Sequence, residues 1–479
     1  MAEIREERLM PEGQGLRARA HHLVGVAAPP DAYGVAPGAD GIRRVLPRAS
    51  RRSSAGVDEG TQSPARPVHP RQDLVRLRLA AELQQRQPEQ QQQEQQKPGP
   101  SRPHMITQQP SDITVSQLFE AYYDCRRHKR NTASALDFEM VLENNLMDLL
   151  AELQAGTWMP GPATVFAITR PRPREVWAAQ FRDRIVHHLV YRAINPLFEP
   201  AFIADSCACI KGRGTLYGAE RLHRHLRSAT ENWSKPAFYL KADIANFFGS
   251  IRHADLFAML ARRIKDPTML ELCRKLVFQD VRRDAIVKDG AGTLALVPPH
   301  KSLFQALPGI GLPIGNLSSQ FFANVYLDGL DQMIKRRLGM RHYVRYVDDM
   351  VLIHPESKAL LSAAEAIRDH LSGIGLKLAE HKTFVAPVTK GVDFVGHVIR
   401  PHRRQGRPRT HRAALRRLME IPAEDFMPSC NSYLGLFRHG GSRNQIIALA
   451  RIALRRRHWV AADLTKVGAR RIPTRRTEP

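Results

Sequence analysis

No apolar run in the chain approaches the roughly 18 residues that a membrane-spanning helix needs, so a transmembrane protein is not expected. The N-terminal MAEIREERLM has no apolar core of the kind a secretory signal carries. Cysteines are few: Cys125, Cys207, Cys209, Cys273 and Cys430 are odd in number and form no CxxC pair. This excludes a disulfide framework and a structural zinc site, and it fits a reducing cytoplasm. Acidic residues are the scarce charge, 47 Asp and Glu against 72 Lys and Arg, for a net +25. The shortage is uneven. Residues 401–479 hold 18 basic and 5 acidic residues, whereas residues 1–105 hold 16 and 12. A field of this kind suits a polyanionic partner, RNA or DNA.

What is present divides the chain into a poorly ordered leader and a foldable remainder. Residues 1–104 are rich in Arg, Pro, Gly and Ala and end in a glutamine tract, LQQRQPEQQQQEQQKPGPSRP. Such a composition buries too little apolar surface to offset ordering entropy. It reads as a disordered arm, or as sequence upstream of a true start at Met105. From residue 113 the pattern turns helical. TVSQLFEAYYDCRRHKRN places Val115, Leu118 and Tyr122 on one face, with Thr114 as N-cap. ASALDFEMVLENNLMDLLAELQAG reads as a second helix stopped by Gly156. Residues 163–180 alternate like two strands around the basic turn TRPRPRE, and FRDRIVHHLVYRAINPLFEP follows as a helix with Pro196 near its end.

Chemistry concentrates in three later stretches. In AFYLKADIANFFGSI (237–251) a strand pattern ends at Asp243. In VRYVDDMVLIH (344–354) two adjacent carboxylates, Asp348 and Asp349, interrupt an apolar run that fits a tight hairpin. Turn chemistry accounts for one Asp. Two beside a buried ribbon are costly unless a cation neutralises them. Oxygen ligands with no neighbouring His or Cys suit Mg²⁺, and a strand-end Asp completes a site for two ions about 3.5–4 Å apart. Between these stretches lies GIGLPIGNLSSQFFANVYLDGLDQMIKR (309–336). Its glycines allow close backbone approach, Asn316 or Ser318 is placed to cap the next helix, and Phe322, Tyr326, Leu330 and Ile334 make a buried face.

YVDD and LKADIANFF, in this order around the glycine loop, resemble the motifs of reverse transcriptases over roughly residues 110–440. The resemblance implies a mixed α/β (α+β) right-hand polymerase: fingers, a palm with an antiparallel sheet covered by helices, and a helical thumb. The expected boundaries are a disordered extension at 1–104, fingers with N-terminal helices at 105–236, a palm with a fingers insertion at 237–400, and a basic helical thumb and tail at 401–479. It further implies two Mg²⁺ ions held by Asp243, Asp348, Asp349 and the Ile244 carbonyl. Phe248 matches the steric gate against a ribose 2′-OH, although Phe247 or Phe248 must also pack the core. Arg172 and Arg174 resemble the fingers turn that clamps the dNTP triphosphate, and Lys211 and Arg213 in CIKGRGT the next fingers motif. Lys382 matches the lysine that protonates pyrophosphate, and FVGH, with Phe394 and Gly396, the primer-grip turn.

Within the family, residues 314–320 (IGNLSSQ) carry Ile314 where Gln is usual, Gly315 next to it, and Gln320 where Pro is usual. That pattern resembles the enzymes of diversity-generating retroelements, which copy a template-repeat RNA into cDNA with errors opposite adenine and work with a small basic ring-forming accessory protein. Template RNA, the cDNA/RNA duplex, dNTPs and that accessory protein are the implied partners, in a bacterial or phage setting. The alternatives are another bacterial reverse transcriptase (retron, phage-defence or group II intron related) and a non-catalytic nucleic-acid scaffold.

Overall fold

The computed structural model describes residues 113–127, 132–169, 172–288, 291–456, 459–462 and 466–469. The expected disordered extension at 1–104 lies outside the described residues. The chain is a mixed helix and sheet protein. In order, the main elements are α1 (Val115–Arg126), α2 (Ala133–Met140), α3 (Leu142–Gln154), β1 (Thr164–Ile168), β2 (Arg174–Ala178), α4 (Phe181–Phe198), α5 (Thr215–Ala229), β3 (Phe238–Asp243), α6 (His253–Ala261), α7 (Pro267–Phe278) and β4 (Ile286–Val287). They continue as α8 (Leu317–Gln332), β5 (His342–Tyr346), β6 (Asp349–His354), α9 (Ser357–Gly373), β7 (Phe384–Pro387), β8 (Val392–Phe394), β9 (His397–Arg400) and β10 (Arg403–Gly406). The C-terminal part holds α10 (Pro408–Glu420), α11 (Ala423–Arg438), α12 (Arg443–Arg455) and a ribbon of β11 (Trp459–Ala462) with β12 (Lys466–Ala469). Among the described residues no helix is long and apolar enough to cross a membrane.

The central sheet has strand order β5-β6-β3-β7, antiparallel throughout. Both of its faces are covered, which explains why MVLI in β6 is an unbroken apolar run. Met350 and Leu352 join Leu240 and Ala242 in the larger core, on the side of α9. Val351 and Ile353 join Tyr239 in a second core under α5 and the β8–β10 sheet. Phe322, Tyr326 and Leu330 of α8, with Ile334 in the π-helical turn that follows it, form a face fully buried against the larger core.

Local expectations meet mixed outcomes. Thr114 does cap α1, in a reciprocal capping box with Gln117. The single helix expected over 133–156 is two helices: Val141 leaves helical geometry, and the Asn145 amide donates to the Phe138 carbonyl at 2.9 Å, closing the first segment. Neither expected residue caps α8. Asn316 accepts instead from the Ala179 N–H, and Ser318 pairs with His187. The strand β10 belongs to the sheet with β8 and β9, so the helical C-terminal unit starts at Pro408, at the first turn of α10, rather than at 401. Its core, including Leu418, Phe426, Leu434, Phe437 and Leu449, forms a separate cluster.

Candidate active site

Strand β3 delivers Asp243, and the β5–β6 hairpin delivers Asp348 and Asp349. Tyr346 and Asp349 are the last paired residues of the hairpin, so Val347 and Asp348 form its turn. Asp243 and Asp349 are register partners across the β3–β6 ladder. The Ile244 N–H then donates to the Asp348 carbonyl at 3.3 Å, drawing the turn over the end of β3. Three carboxylate-bearing positions separated by 105 residues of chain are thereby gathered at one corner of the sheet. The Ile244 side chain is buried, and the residue bridges to Leu378.

Electrostatics at this corner are those of excess negative charge. Burial, then the neighbouring Asp243, pushes the Asp348 carboxyl up to about 7. Burial raises Asp349 to about 6 against the opposing pull of Lys241. Two lysines supply partial compensation. Lys382 Nζ donates to Asp243 Oδ1 at 2.7 Å. Lys241 Nζ donates to Asp349 Oδ2 at 3.1 Å and to the Asp393 carbonyl; Asp349 Oδ1, 3.0 Å from the same ammonium, is buried without an aligned donor.

An oxygen-only donor set with raised carboxyls and an under-satisfied oxygen fits a hard divalent cation. Among the described residues no three His, Cys, Asp or Glu side chains close into a ready-made cage. Mg²⁺ usually takes one or two carboxylates and completes its shell with water and substrate phosphates, so an open arrangement suits it.

Beneath the turn lies a buried hub. Val347 has φ +56, a left-handed conformation that costs a β-branched residue about 1–3 kcal/mol. Arg345, 1% exposed, holds that strained residue by donating Nη1 to the Val347 carbonyl at 2.9 Å. Its guanidinium also forks onto Asp331 of α8 at 2.8 and 2.6 Å and reaches Ser206 Oγ at 3.0 Å. Tyr343 donates to Asp331 as well, at 2.7 Å, and burial keeps its phenol protonated. Sequence reasoning missed Arg345, Asp331 and Lys241. The signals were present: a charged residue inside the apolar strand HYVRY, and Lys241 two residues before Asp243 on the same strand face.

The glycine loop docks on the β1–β2 hairpin. The Trp177 N–H donates to the Ile314 carbonyl at 2.7 Å, and Gly315 has φ +136 with no room for a Cβ, which would meet the Trp177 carbonyl at 2.7 Å. The Ile314 side chain is exposed beside this contact, and Gln320 is half-buried on α8. Arg174 opens β2 half-buried and Arg172 is exposed just before it; neither pairs with a carboxylate among the described residues. Phe247 packs into the core, whereas Phe248 is only partly buried and its carbonyl accepts from the Leu312 N–H of the loop. That settles which of the two adjacent rings packs the core, a point the sequence left open.

Two expected contacts have a different setting. Arg213 spends its guanidinium on the Ile203 and Ser206 carbonyls, at 2.8 and 3.0 Å, whereas Lys211 is exposed and pairs with no carboxylate among the described residues. Phe394 is fully buried in the second core, where a primer cannot reach its ring. What the β8–β9 hairpin presents is its turn, Val395 and Gly396, both with positive φ.

Residues 171–399 match the family model described as "Reverse transcriptase (RNA-dependent DNA polymerase)". Protein YkfC of Escherichia coli (strain K12) is 25% identical over a match covering 55% of this chain and 74% of that protein. The group II intron-encoded protein LtrA of Lactococcus lactis subsp. cremoris is 23% identical, covering 40% of this chain and 28% of its own length. Telomerase from Candida albicans, solved with a fragment of telomeric RNA, superposes with a TM-score of 0.38 at 13% identity, over 61% of this chain and 55% of that one. Residues 171–399, just under half of the chain, therefore carry the similarity to reverse transcriptases, and the match to LtrA adds a similarity to a group II intron-encoded protein.

Proposed function

We propose that this chain, whose residues 171–399 match the reverse transcriptase family model, copies a template-repeat RNA into error-prone cDNA that diversifies a target gene. The observation that carries the polymerase chemistry is the register of Asp243 opposite Asp349, with Asp348 in the adjoining turn. Two Mg²⁺ ions held by Asp243, Asp348, Asp349 and the Ile244 carbonyl would supply Lewis-acid activation of the primer 3′-hydroxyl and neutralise charge on the departing pyrophosphate. The chain's own groups do the rest. Lys382, already hydrogen-bonded at Asp243, is positioned to give a proton to pyrophosphate. Arg172, Arg174 and Lys211 meet triphosphate or template phosphates, and the partly buried Phe248 ring opposes a ribose 2′-OH. The turn at Val395 and Gly396 supports the primer strand. By position, residues 113–236 serve as fingers, the central sheet as palm and residues 408–455 as thumb.

The retroelement reading is supported by Ile314, exposed on the glycine loop at 36% of its surface. An aliphatic side chain there offers no hydrogen bond to the nascent pair, a loss of about 1–2 kcal/mol of discrimination. A small basic accessory protein belongs to the same reading. The similarity to LtrA favours a second one, a group II intron-related enzyme acting on its own RNA.

Primer extension on an RNA template with Mg²⁺ and dNTPs tests the chemistry. Asp348→Asn is expected to abolish extension while RNA affinity stays near wild type. Full synthesis by that variant removes the carboxylates from the mechanism.

A further inference from the structure

At the far end of the palm from the carboxylates, the chain between α5 and β3 folds into an unusual display. Glu231, Asn232 and Trp233 are consecutive residues with φ of +44, +56 and +80. None is glycine, and each such residue costs on the order of 1–3 kcal/mol. The loop is nonetheless tied down. The Asn232 N–H donates to the Arg227 carbonyl at 2.9 Å, the Trp233 N–H to Thr230 Oγ1 at 3.1 Å, and the Arg227 guanidinium to Asn232 Oδ1 at 3.2 and 3.1 Å. The product of this strain is a Trp233 indole 54% exposed, edge-on to the His402 ring at 5.2 Å. A chain that only had to leave a helix and enter a strand would need neither three left-handed residues nor an exposed tryptophan.

The surroundings are basic and concave. A cleft of about 440 Å³ is lined by Arg224, Arg227, Ser228, Glu231 and Asn232. Arg224 and Arg227 are exposed and pair with no carboxylate among the described residues, and Glu231 is occupied by Lys235 at 2.8 Å. His223 Nε2 bonds the Pro401 carbonyl at 3.0 Å, which fixes the β9–β10 turn with His402 and exposed Arg403 beside the indole. A shallow cleft of nucleotide size, two guanidinium groups with no carboxylate partner among the described residues and a rigid aromatic face are the parts from which sequence-tolerant binding of unpaired strands is built. An acidic protein surface would use the arginines but leave the strained display of Trp233 without a purpose. Strand β3 separates this patch from Asp243 by roughly 17 Å of extended chain beyond Phe238, so the nucleotide being copied cannot be its occupant.

We infer that the α5–β3 loop is a second polynucleotide site, in which Trp233 stacks an unpaired base of the strand flanking the copied region while Arg224 and Arg227 hold its phosphates. This rests on the polymerase reading above. The test uses the full chain and short RNA–DNA primer–template hybrids carrying single-stranded extensions of increasing length, either RNA or DNA. Wild type is expected to bind long-extension hybrids roughly tenfold tighter than hybrids whose only overhang is a short templating stretch. Trp233→Ala, and separately Arg224→Ala with Arg227→Ala, should lose that gain, and the double variant should lower the salt slope by about 1.4. Extension of the short-overhang hybrid, its dNTP KM and the melting temperature should stay at wild-type values. A gain seen only with RNA extensions identifies the template; an equal gain with DNA identifies the displaced or product strand. Unchanged dependence on extension length in both variants overturns the site, including the case in which the patch docks a protein. Failure of wild type to extend even the short-overhang hybrid would instead strike the polymerase reading.

Discussion

Replacing Arg345 with Met tests whether the hub under the catalytic turn serves stability, catalysis or both. Arg345 and Asp331 are each 1% exposed, and the guanidinium makes bonds at 2.8 and 2.6 Å to the carboxylate, 3.0 Å to Ser206 and 2.9 Å to the Val347 carbonyl. Removing the arginine alone strands a buried carboxylate, which costs about 3–5 kcal/mol. Adding Asp331→Leu removes that orphan, but leaves the Tyr343 hydroxyl without its acceptor, a penalty of about 1–3 kcal/mol. The triple variant Arg345→Met, Asp331→Leu, Tyr343→Phe leaves neither of those groups unsatisfied and should recover most of the stability. What it cannot restore is the charge-assisted bond to Val347, worth about 1.5–3 kcal/mol, which holds a left-handed β-branched residue next to Asp348. Urea denaturation should therefore rank wild type and triple variant close together, with the single variant far below. Primer extension across a Mg²⁺ titration should show the triple variant needing more metal, with a lower kcat. A triple variant with wild-type kcat and metal requirement would refute the idea that Arg345 sets the turn; a single variant as stable as wild type would refute the buried-charge argument itself.

Further outcomes follow from the same geometry. Asp348, raised to about 7, binds a proton more readily folded than unfolded, so its contribution to metal-free stability is complete below pH 4 and lost as pH rises toward about 7. Asp348→Asn should flatten that slope in chelator-treated protein, and an unaltered pH–stability curve would contradict it. Gly315→Ala places a Cβ 2.7 Å from the Trp177 carbonyl at φ +136. It should cost about 1–3 kcal/mol and raise the dNTP KM as the loop leaves β2, read by thermal melting and steady-state kinetics. Ile314→Gln should reduce misincorporation opposite template adenine, read by sequencing cDNA; an identical error spectrum would exonerate Ile314.

How far the sequence reached can be judged residue by residue. Period-two alternation marked β1, β2 and β3, and the apolar run after Asp349 marked a strand buried on both faces. Those signals are local, because side-chain direction follows from backbone repeat alone. The carboxylate pair was legible for a related reason: two charges inside an apolar hairpin are too costly to be accidental. The break at Val141, by contrast, depends on one side-chain amide reaching the Phe138 carbonyl, and no periodicity encodes that. Tertiary contact also decided that Phe247, rather than Phe248, is the ring buried in the core, since only packing tells the burial of adjacent rings apart. It turned Phe394 inward and gave Arg213 to backbone carbonyls. It brought Arg345, Asp331 and Ser206, spread over 140 residues, under one turn. Composition and pattern determined which segments would be strands and helices and which residue types the chemistry needed. Which side chains face the reacting atoms was decided by long-range packing, because a buried charge takes its meaning only from the partner that folding places against it.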